Sequence, residues 1–425
     1  MTITVFSGGA GSGKTYRLME KLAEVIAEKP MEDGRKVLAL TFMHGARRRL
    51  DDQLARVPGL ARRYECTTLD SFAARIVRRW QSLAIQEHYG EPREFEYEDT
   101  CRVAAALLAH RNVVLWVKVS YPTLIIDEAQ DLSASRLDVV RHLATELTTL
   151  VAADEFQCLD PALRPNPAWD WLQRQDDHVR LDQTMRTNVG SLLNAAAALR
   201  SGLDLPIGQG FSFRATANAA LASTFLSNQI AWRVKGKTLA VISPVVKTFA
   251  EGVVELSGTR ATRAGNGPYR IGWEQTDTKV IEALLARIVV PAVATPSEAL
   301  EAVRATGDYA LFSEFANWVD RLIRTRRDVA ISQQMLSAVV EKICSNRARF
   351  QRSSDLGYKA MSVHRAKNRE FDHVVVLWPA ATTGDSEQKR RLLYNAVTRA
   401  KEECIVLVQA QRQLQLPPFK QQRFD

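Results

Sequence analysis

Residues 8–15, Gly8-Gly9-Ala10-Gly11-Ser12-Gly13-Lys14-Thr15, fit the pattern G-x-x-x-x-G-K-[ST]. They follow a β-rich run, Thr2 to Phe6, and open an amphipathic helical run, Lys14 to Glu28, which is the setting that gives this pattern its meaning. Glycines let backbone N–H groups close around phosphate oxygens, and the start of a helix adds a favourable dipole. Lys14 is expected to reach the β- and γ-phosphates of a nucleotide, and the Thr15 hydroxyl to ligate Mg²⁺.

Strand and helix patterns alternate through the first half of the chain, as in a parallel sheet. Further strands are expected at Lys36 to Thr41, Thr123 to Ile126 and Leu147 to Ala152, and helices at Gly45 to Arg56, Asp70 to Trp80 and Ser133 to Leu143. Glu87 to Asp99 carries six acids in thirteen residues and reads as an exposed loop. After a connector with Pro161, Pro165 and Pro167 the alternation resumes, with a helix at Val189 to Arg200 and a strand at Thr238 to Ile242. Ala292 to Arg352 reads as helices only. A buried strand returns at His373 to Trp378, and a last helix and strand follow at Arg390 to Val408. The expected fold class is α/β, two domains with parallel sheets, the second interrupted by a helical insertion.

Composition narrows the partners. The 425 residues include 57 Lys+Arg against 48 Asp+Glu, a formal net charge of +9, with 46% hydrophobic residues, which excludes collagen, coiled coil and general disorder. Basic clusters at Arg47 to Arg49, Arg75 with Arg78 and Arg79, Arg321 with Arg324, Arg326 and Arg327, and Arg347 with Arg349 and Arg352 suit either a polyanion or solvated helix faces. No apolar run approaches the ~18 residues of a bilayer span, and no signal peptide is read at the N-terminus, so a soluble, cytoplasmic protein without a membrane partner is expected. The five cysteines lack the spacing of a disulfide framework or zinc knuckle.

A second chemical signal lies at Thr123 to Asp131, where the apolar run Leu124-Ile125-Ile126 ends in Asp127-Glu128-Ala129-Gln130-Asp131. Asp127 at a strand end suits Mg²⁺, and Glu128 beside it suits activation of an attacking water. Paired acids at a helix start are often only caps, but a phosphate loop upstream changes that balance.

Together these strings resemble motifs of the superfamily 1 UvrD/Rep/PcrA helicases. Asp127 to Asp131 resembles motif II, and Val37 to Phe42 with the following helix resembles motif Ia. Thr67 to Ala73 is similar to the next DNA-contact motif, and Asp154-Glu155-Phe156-Gln157 to motif III. Leu181 to Thr187 resembles motif IV, Met361 to Phe371 motif V, and Tyr394 to Ala400 motif VI. Seven motifs stand in family order along nearly the whole chain.

The resemblance implies two RecA-like P-loop NTPase domains: domain 1A at 1–180, with a reduced 1B-like insertion at about 81–122, and domain 2A at 181–291 and 357–425, with a reduced helical 2B-like insertion at 292–356. It implies ATP and Mg²⁺ as cofactors. Gly8, Gly9, Ala10, Gly11, Ser12, Gly13, Lys14, Thr15 and Glu370 would hold the nucleotide, and Thr15 and Asp127 the metal. Asp127, Glu128, Gln157, Arg186 and Arg399 would form the catalytic set, the two arginines meeting the γ-phosphate across the interdomain cleft. Phe42, His44, Thr68 and His364 would contact single-stranded DNA.

The expected activity is ATP-driven translocation along single-stranded DNA, or unwinding of a tailed duplex, with 3′ to 5′ polarity. The rival is a nucleotide-switched regulatory or DNA-sensing subunit of a nuclease or defence complex with little unwinding of its own, since compact helicase-like chains occur beside nucleases in phage-defence systems such as Gabija. A protein partner or self-association is compatible with either.

Departures from the family pattern are specific. No glutamine precedes Lys14, and Met185 replaces the aromatic expected before Arg186, so the base is expected to be held by apolar contact with loose discrimination. Asp70 stands for the usual histidine, Leu69 for an aromatic, Cys158-Leu159-Asp160 for the aromatic end of motif III, and Asn368 for a glycine. Only 113 positions separate Lys14 from Asp127 and 178 separate Arg186 from His364, which leaves short insertions and a minimal motor.

Overall fold

Strands that are aliphatic on both faces need cover on both faces, and the first domain is built that way. A computed structural model describes residues 2–42, 44–89, 97–274, 277–291, 293–325, 330–350 and 358–420. The first domain runs β1 (Ile3–Gly8), α1 (Lys14–Glu28), β2 (Val37–Thr41), α2 (His44–Leu54), β3 (Tyr64–Thr68), α3 (Leu69–Arg79), α4 (Gln81–Gln86), α5 (Tyr97–Ala109), α6 (Arg111–Ser120), β4 (Thr123–Ile126), α7 (Ala134–Ala144), β5 (Thr148–Ala153), α8 (Pro167–Leu172) and β6 (Asp177–Leu181). Its strands pair in parallel in the order β3-β2-β4-β5-β1-β6. Every residue of β2 and β4 is buried.

One face of that sheet is covered by α1 and α2. Leu18, Leu22 and Ile26 of α1 recur at the four-residue helical spacing and pack with Leu50 and Leu54 of α2. The other face carries α3, α5, α6 and α7 through Phe72, Ile76, Leu107, Leu108, Val117 and Val140. The expected insertion at 81–122 is thus helical and packed into the first domain's core. Tyr97–Asp99, expected in a loop, instead opens α5, while residues 90–96 lie outside the described residues.

The second domain runs α9 (Gly190–Ser201), β7 (Phe211–Thr216), α10 (Ala219–Trp232), β8 (Leu239–Ser243), α11 (Phe249–Thr259) and β9 (Ile271–Trp273). Between β9 and the rest of this domain come α12 (Asp277–Leu285), α13 (Pro296–Arg304), α14 (Tyr309–Thr325) and α15 (Gln333–Phe350). The domain resumes with β10 (Tyr358–Ser362), α16 (Val363–Ala366), β11 (Phe371–Trp378), α17 (Ser386–Val397) and β12 (Ala400–Gln409). Its sheet order is β7-β12-β11-β8-β10-β9, with parallel pairing at β7·β12, β12·β11, β11·β8 and β8·β10. Both domains are RecA-like, each built on a six-stranded sheet.

Two compact units emerge, residues 1–272 with 358–425, and residues 273–357. The second is the helical insertion, which begins at Trp273, earlier than the 292 read from sequence. It has a core of its own, in which Val303, Leu311, Phe315, Val319, Leu336 and Val340 are fully buried. Thr295 and Glu298 form a capping box at the start of α13: the Thr295 N–H donates to Glu298 Oε2 at 2.7 Å, and the Glu298 N–H to Thr295 Oγ1 at 3.3 Å. Of the arginines read as a cluster in this unit, Arg326, Arg327 and Arg352 lie outside the described residues, as do the side chains of Arg347 and Arg349.

Candidate nucleotide site and interdomain cleft

The loop between β1 and α1 turns on glycines that other residues could not replace. Gly11 (φ 77°) and Gly13 (φ 80°) lie in the left-handed region, and a Cβ on Gly11 would stand 2.6 Å from Arg186 Cβ. Lys14 is buried at the start of α1 and donates to the carbonyls of Gly8 and Gly9 at 3.0 and 2.9 Å. The Ser12 hydroxyl is buried without a partner. A nucleotide phosphate would give Lys14 and Ser12 the anionic acceptor they lack.

One cavity of about 280 Å³ gathers the sequence-derived site. It is lined by Gly11, Gly13, Lys14, Thr15, Asp127, Glu128 and Gln157 from the first domain and by Arg186, Glu370 and Arg399 from the second. Gly8, Gly9 and Ala10 line a different cavity, of about 700 Å³, behind the loop. Thr15 Oγ1 donates to Asp127 Oδ2 at 3.2 Å, which brings together the two oxygens expected to hold the metal. These hard oxygens fit Mg²⁺, which takes few protein ligands and leaves its other positions to water and phosphate. Burial, and the Glu128 charge beside it, push the Asp127 carboxyl up to about 7 against the pull of Lys14. A divalent cation would relieve that charge crowding.

Glu128 takes φ 61°, outside the favoured region for a side-chain-bearing residue, at the turn between β4 and the short helical turn Ala129–Asp131. Its carboxylate accepts from Gln130 Nε2 at 2.6 Å, and the other end of Gln130 accepts the Asp154 N–H at 2.9 Å. Motifs II and III are thereby tied together. Gln157 donates to Asp154 Oδ2 at 2.8 Å and accepts from Arg399 Nη2 at 3.0 Å. Arg399 is 1% exposed. Burial, reinforced by the nearby Arg186 charge, lowers its pKa to about 10, and the Glu128 and Glu370 charges offset that shift only in part.

Arg186 donates to Glu370 Oε1 at 3.0 Å and to the Thr398 carbonyl at 2.7 Å. The resemblance places Glu370 at the nucleotide. It does line the cavity, but its carboxylate also faces Arg49 and Lys401, each at 3.3 Å. Burial opposes its charge, yet Arg186 and Arg49 outweigh that and hold the carboxyl down at about 2.

The residues expected at DNA do not behave alike. Phe42 packs partly against the first core and lines a small cavity with Thr41, Asp131 and Lys367. His364 is exposed on α16. The buried hydroxyl of Thr68 caps α3, accepting the Ser71 N–H at 3.2 Å and donating to Ser71 Oγ at 2.7 Å. His44 opens α2, and its side chain lies outside the described residues.

Several cleft pairings carry no pattern that sequence reading could seize. Arg200 of α9 pairs with buried Asp154 at 2.7 Å and donates to Tyr394 Oη at 3.1 Å, while Tyr394 Oη accepts the Ala10 N–H at 2.8 Å. Lys367 pairs with Asp131 at 2.8 Å, and Arg391 with Glu155. These join the two sheets' loops across the cleft, and only the fold reveals the pairings. The string from Tyr394 to Arg399 is the one available signal for Tyr394.

Fold and site together define a two-domain P-loop NTPase of RecA-like type. Residues 2–90 match the UvrD/REP helicase N-terminal domain, and residues 358–407 match the UvrD-like helicase C-terminal domain. These two matches, one in each domain, support a UvrD-like helicase. No curated protein matches it in sequence. Among solved structures it is similar to an arterivirus helicase, nonstructural protein 10, at 12% identity and a TM-score of 0.38, over 97% of this chain and 61% of that one.

Proposed function

We propose that the chain is an ATP-dependent motor that moves along single-stranded DNA with 3′ to 5′ polarity. The observation that carries this reading is the convergence of Lys14, Thr15, Asp127, Glu128, Gln157, Arg186 and Arg399 from both domains on one cavity. In it Lys14 and the loop N–H groups bind the β- and γ-phosphates, and Glu128 takes a proton from the attacking water. Mg²⁺ held at Thr15 and Asp127 supplies charge neutralisation of the phosphates. Arg186 and Arg399 offset the charge that builds on the transferring phosphoryl group. Because both arginines come from the second domain, loss of the γ-phosphate removes a contact that draws the domains together. Opening and closing of the cleft follows the hydrolytic cycle.

Steady-state ATPase with and without single-stranded DNA tests this reading. Hydrolysis is expected to rise strongly with DNA, whereas stimulation only by a protein partner would favour a nucleotide-switched regulatory subunit. Glu128→Gln should retain nucleotide binding while hydrolysis falls by about a hundredfold or more. Full turnover in that variant would remove Glu128 from the role.

A further inference from the structure

A second space lies beside the hydrolytic cavity and shares two of its wall residues. Tyr16 and Gln53 line both the nucleotide cavity and an adjoining, more apolar one of about 460 Å³, whose other walls are Met19, Glu20, Ala23, Arg56, Val57 and Pro58. Tyr16 follows Thr15 directly and is 61% exposed, and Met185, at the rim of the first cavity, is 70% exposed. Large apolar side chains left this open beside a phosphate site offer flat and adaptable surfaces to a planar ligand. Because Tyr16 follows Thr15 directly and lines both cavities, these surfaces lie beside the place where phosphates at Lys14 and Thr15 would be held.

Gln53 is the polar group at that junction. It sits on α2, whose neighbouring Leu50 and Leu54 are buried in the first core and fix the rotation of the helix. Its Oε1 is buried and has no hydrogen-bond partner. A buried amide oxygen without a donor costs free energy that a bound group can recover.

We infer that Gln53 is the base-reading residue of this site, its side-chain amide pairing with adenine while Tyr16 and Met185 provide apolar contact. The inference rests on the nucleotide reading above. Gln53 Oε1 accepts from the adenine 6-amino group and Nε2 donates to N7, the pairing a glutamine amide makes with adenine in a bidentate contact. Guanine presents acceptors at both O6 and N7, so one end of the amide is left unpaired against it. This reverses the loose discrimination expected from Met185 and the missing upstream glutamine. The reader lies downstream, on the second helix, where sequence order gives it no signature.

Equilibrium binding to the full chain with Mg²⁺ tests the pairing, using ATP, GTP and purine riboside triphosphate, which lacks the 6-amino group. The unaltered chain should bind ATP about tenfold or more tightly than either analogue. Gln53→Met keeps side-chain length and helix propensity while removing both polar atoms, and it should bind all three nucleotides alike, at the level the unaltered chain shows for GTP. Tyr16→Ala should weaken all three by a similar factor. An ATP-to-GTP ratio that is the same in Gln53→Met, or the absence of any preference in the unaltered chain, would overturn the assignment while leaving the nucleotide site standing. If no nucleotide binds at all, the hydrolytic reading fails first and this inference with it. Should Gln53→Met not fold, the comparison of ATP with purine riboside triphosphate on the unaltered chain still shows whether the 6-amino group is read, and equal affinity for the two would overturn the pairing.

Discussion

Arg186 is aimed by a carboxylate, and that carboxylate titrates. The Glu370 carboxyl is held at about 2, below the ordinary 4.5, by Arg186, Arg49 and Lys401. A depressed carboxyl stabilises the fold fully above its unfolded value and loses that contribution as pH falls from about 4.5 through about 2. Glu370→Gln should therefore be less stable than the unaltered chain at pH 6, by at most about 3 kcal/mol, with the gap shrinking between pH 4.5 and pH 2. Urea unfolding at pH 6 and pH 3 measures it, and a gap independent of pH would show that the pairing contributes packing only. Arg399→Ala should spare nucleotide affinity more than kcat, because its main target is the charge on the transferring group; single-turnover and binding measurements separate the two. At this scale the sequence is most legible where chemistry is contiguous. Gly8 to Thr15 and Asp127-Glu128 stand out because a loop between strand and helix needs those residues in a row. Arg200 with Asp154, 46 positions apart, and Lys367 with Asp131, 236 apart, do not, since each partner is an ordinary charged residue until folding brings it opposite the other.

At the scale of elements, legibility follows burial. Strands β2 and β4 and helix α1 agree with the hydrophobic pattern to within a residue because every strand residue, or every fourth helix residue, is buried. By contrast, β6 at the sheet edge, with Asp177, Val179 and Arg180 exposed and His178 and Leu181 half-buried, gives no apolar run to read. Nor do α10 and α11 stand out, because their weakly one-sided composition hides their packing against each other. The helical unit at 273–357 is legible as helices but not as a body with its own core. Phe315 is fully buried there, among Leu311, Val319 and Leu336. Phe315→Ala should destabilise that unit by about 3–5 kcal/mol through lost burial and a cavity. Hydrogen exchange should accelerate in α13 to α15 while β8, β11 and β12 keep their protection, because the two units have separate cores. Equal acceleration in both would mean they unfold as one.

For the whole molecule, hydrolysis and strand separation make different demands. The proposed hydrolytic site needs only the two sheets and the loops that meet between them, and these are complete in residues 1–272 with 358–425. Splitting a duplex also needs a surface that holds the fork while the motor advances. The segments available for such a surface are short: α4 to α6 are packed into the first domain's core, and the insertion at 273–357 is four helices long among the described residues. On the proposed reading, binding to single strands is expected to rest on phosphate contacts more than on stacking, since Leu69 and Asn368 stand where the resemblance leads one to expect other residues and Phe42 is partly committed to the core. The purified chain is therefore expected to be a DNA-stimulated ATPase that opens only short 3′-tailed duplexes, with DNA affinity that falls steeply as salt rises. ATPase and unwinding measured on the same tailed substrate, at two salt concentrations, put both claims to the test. Processive opening of long duplexes by a monomer would show that these short segments suffice to hold a fork, and a flat salt dependence would show that stacking or shape governs the strand contact.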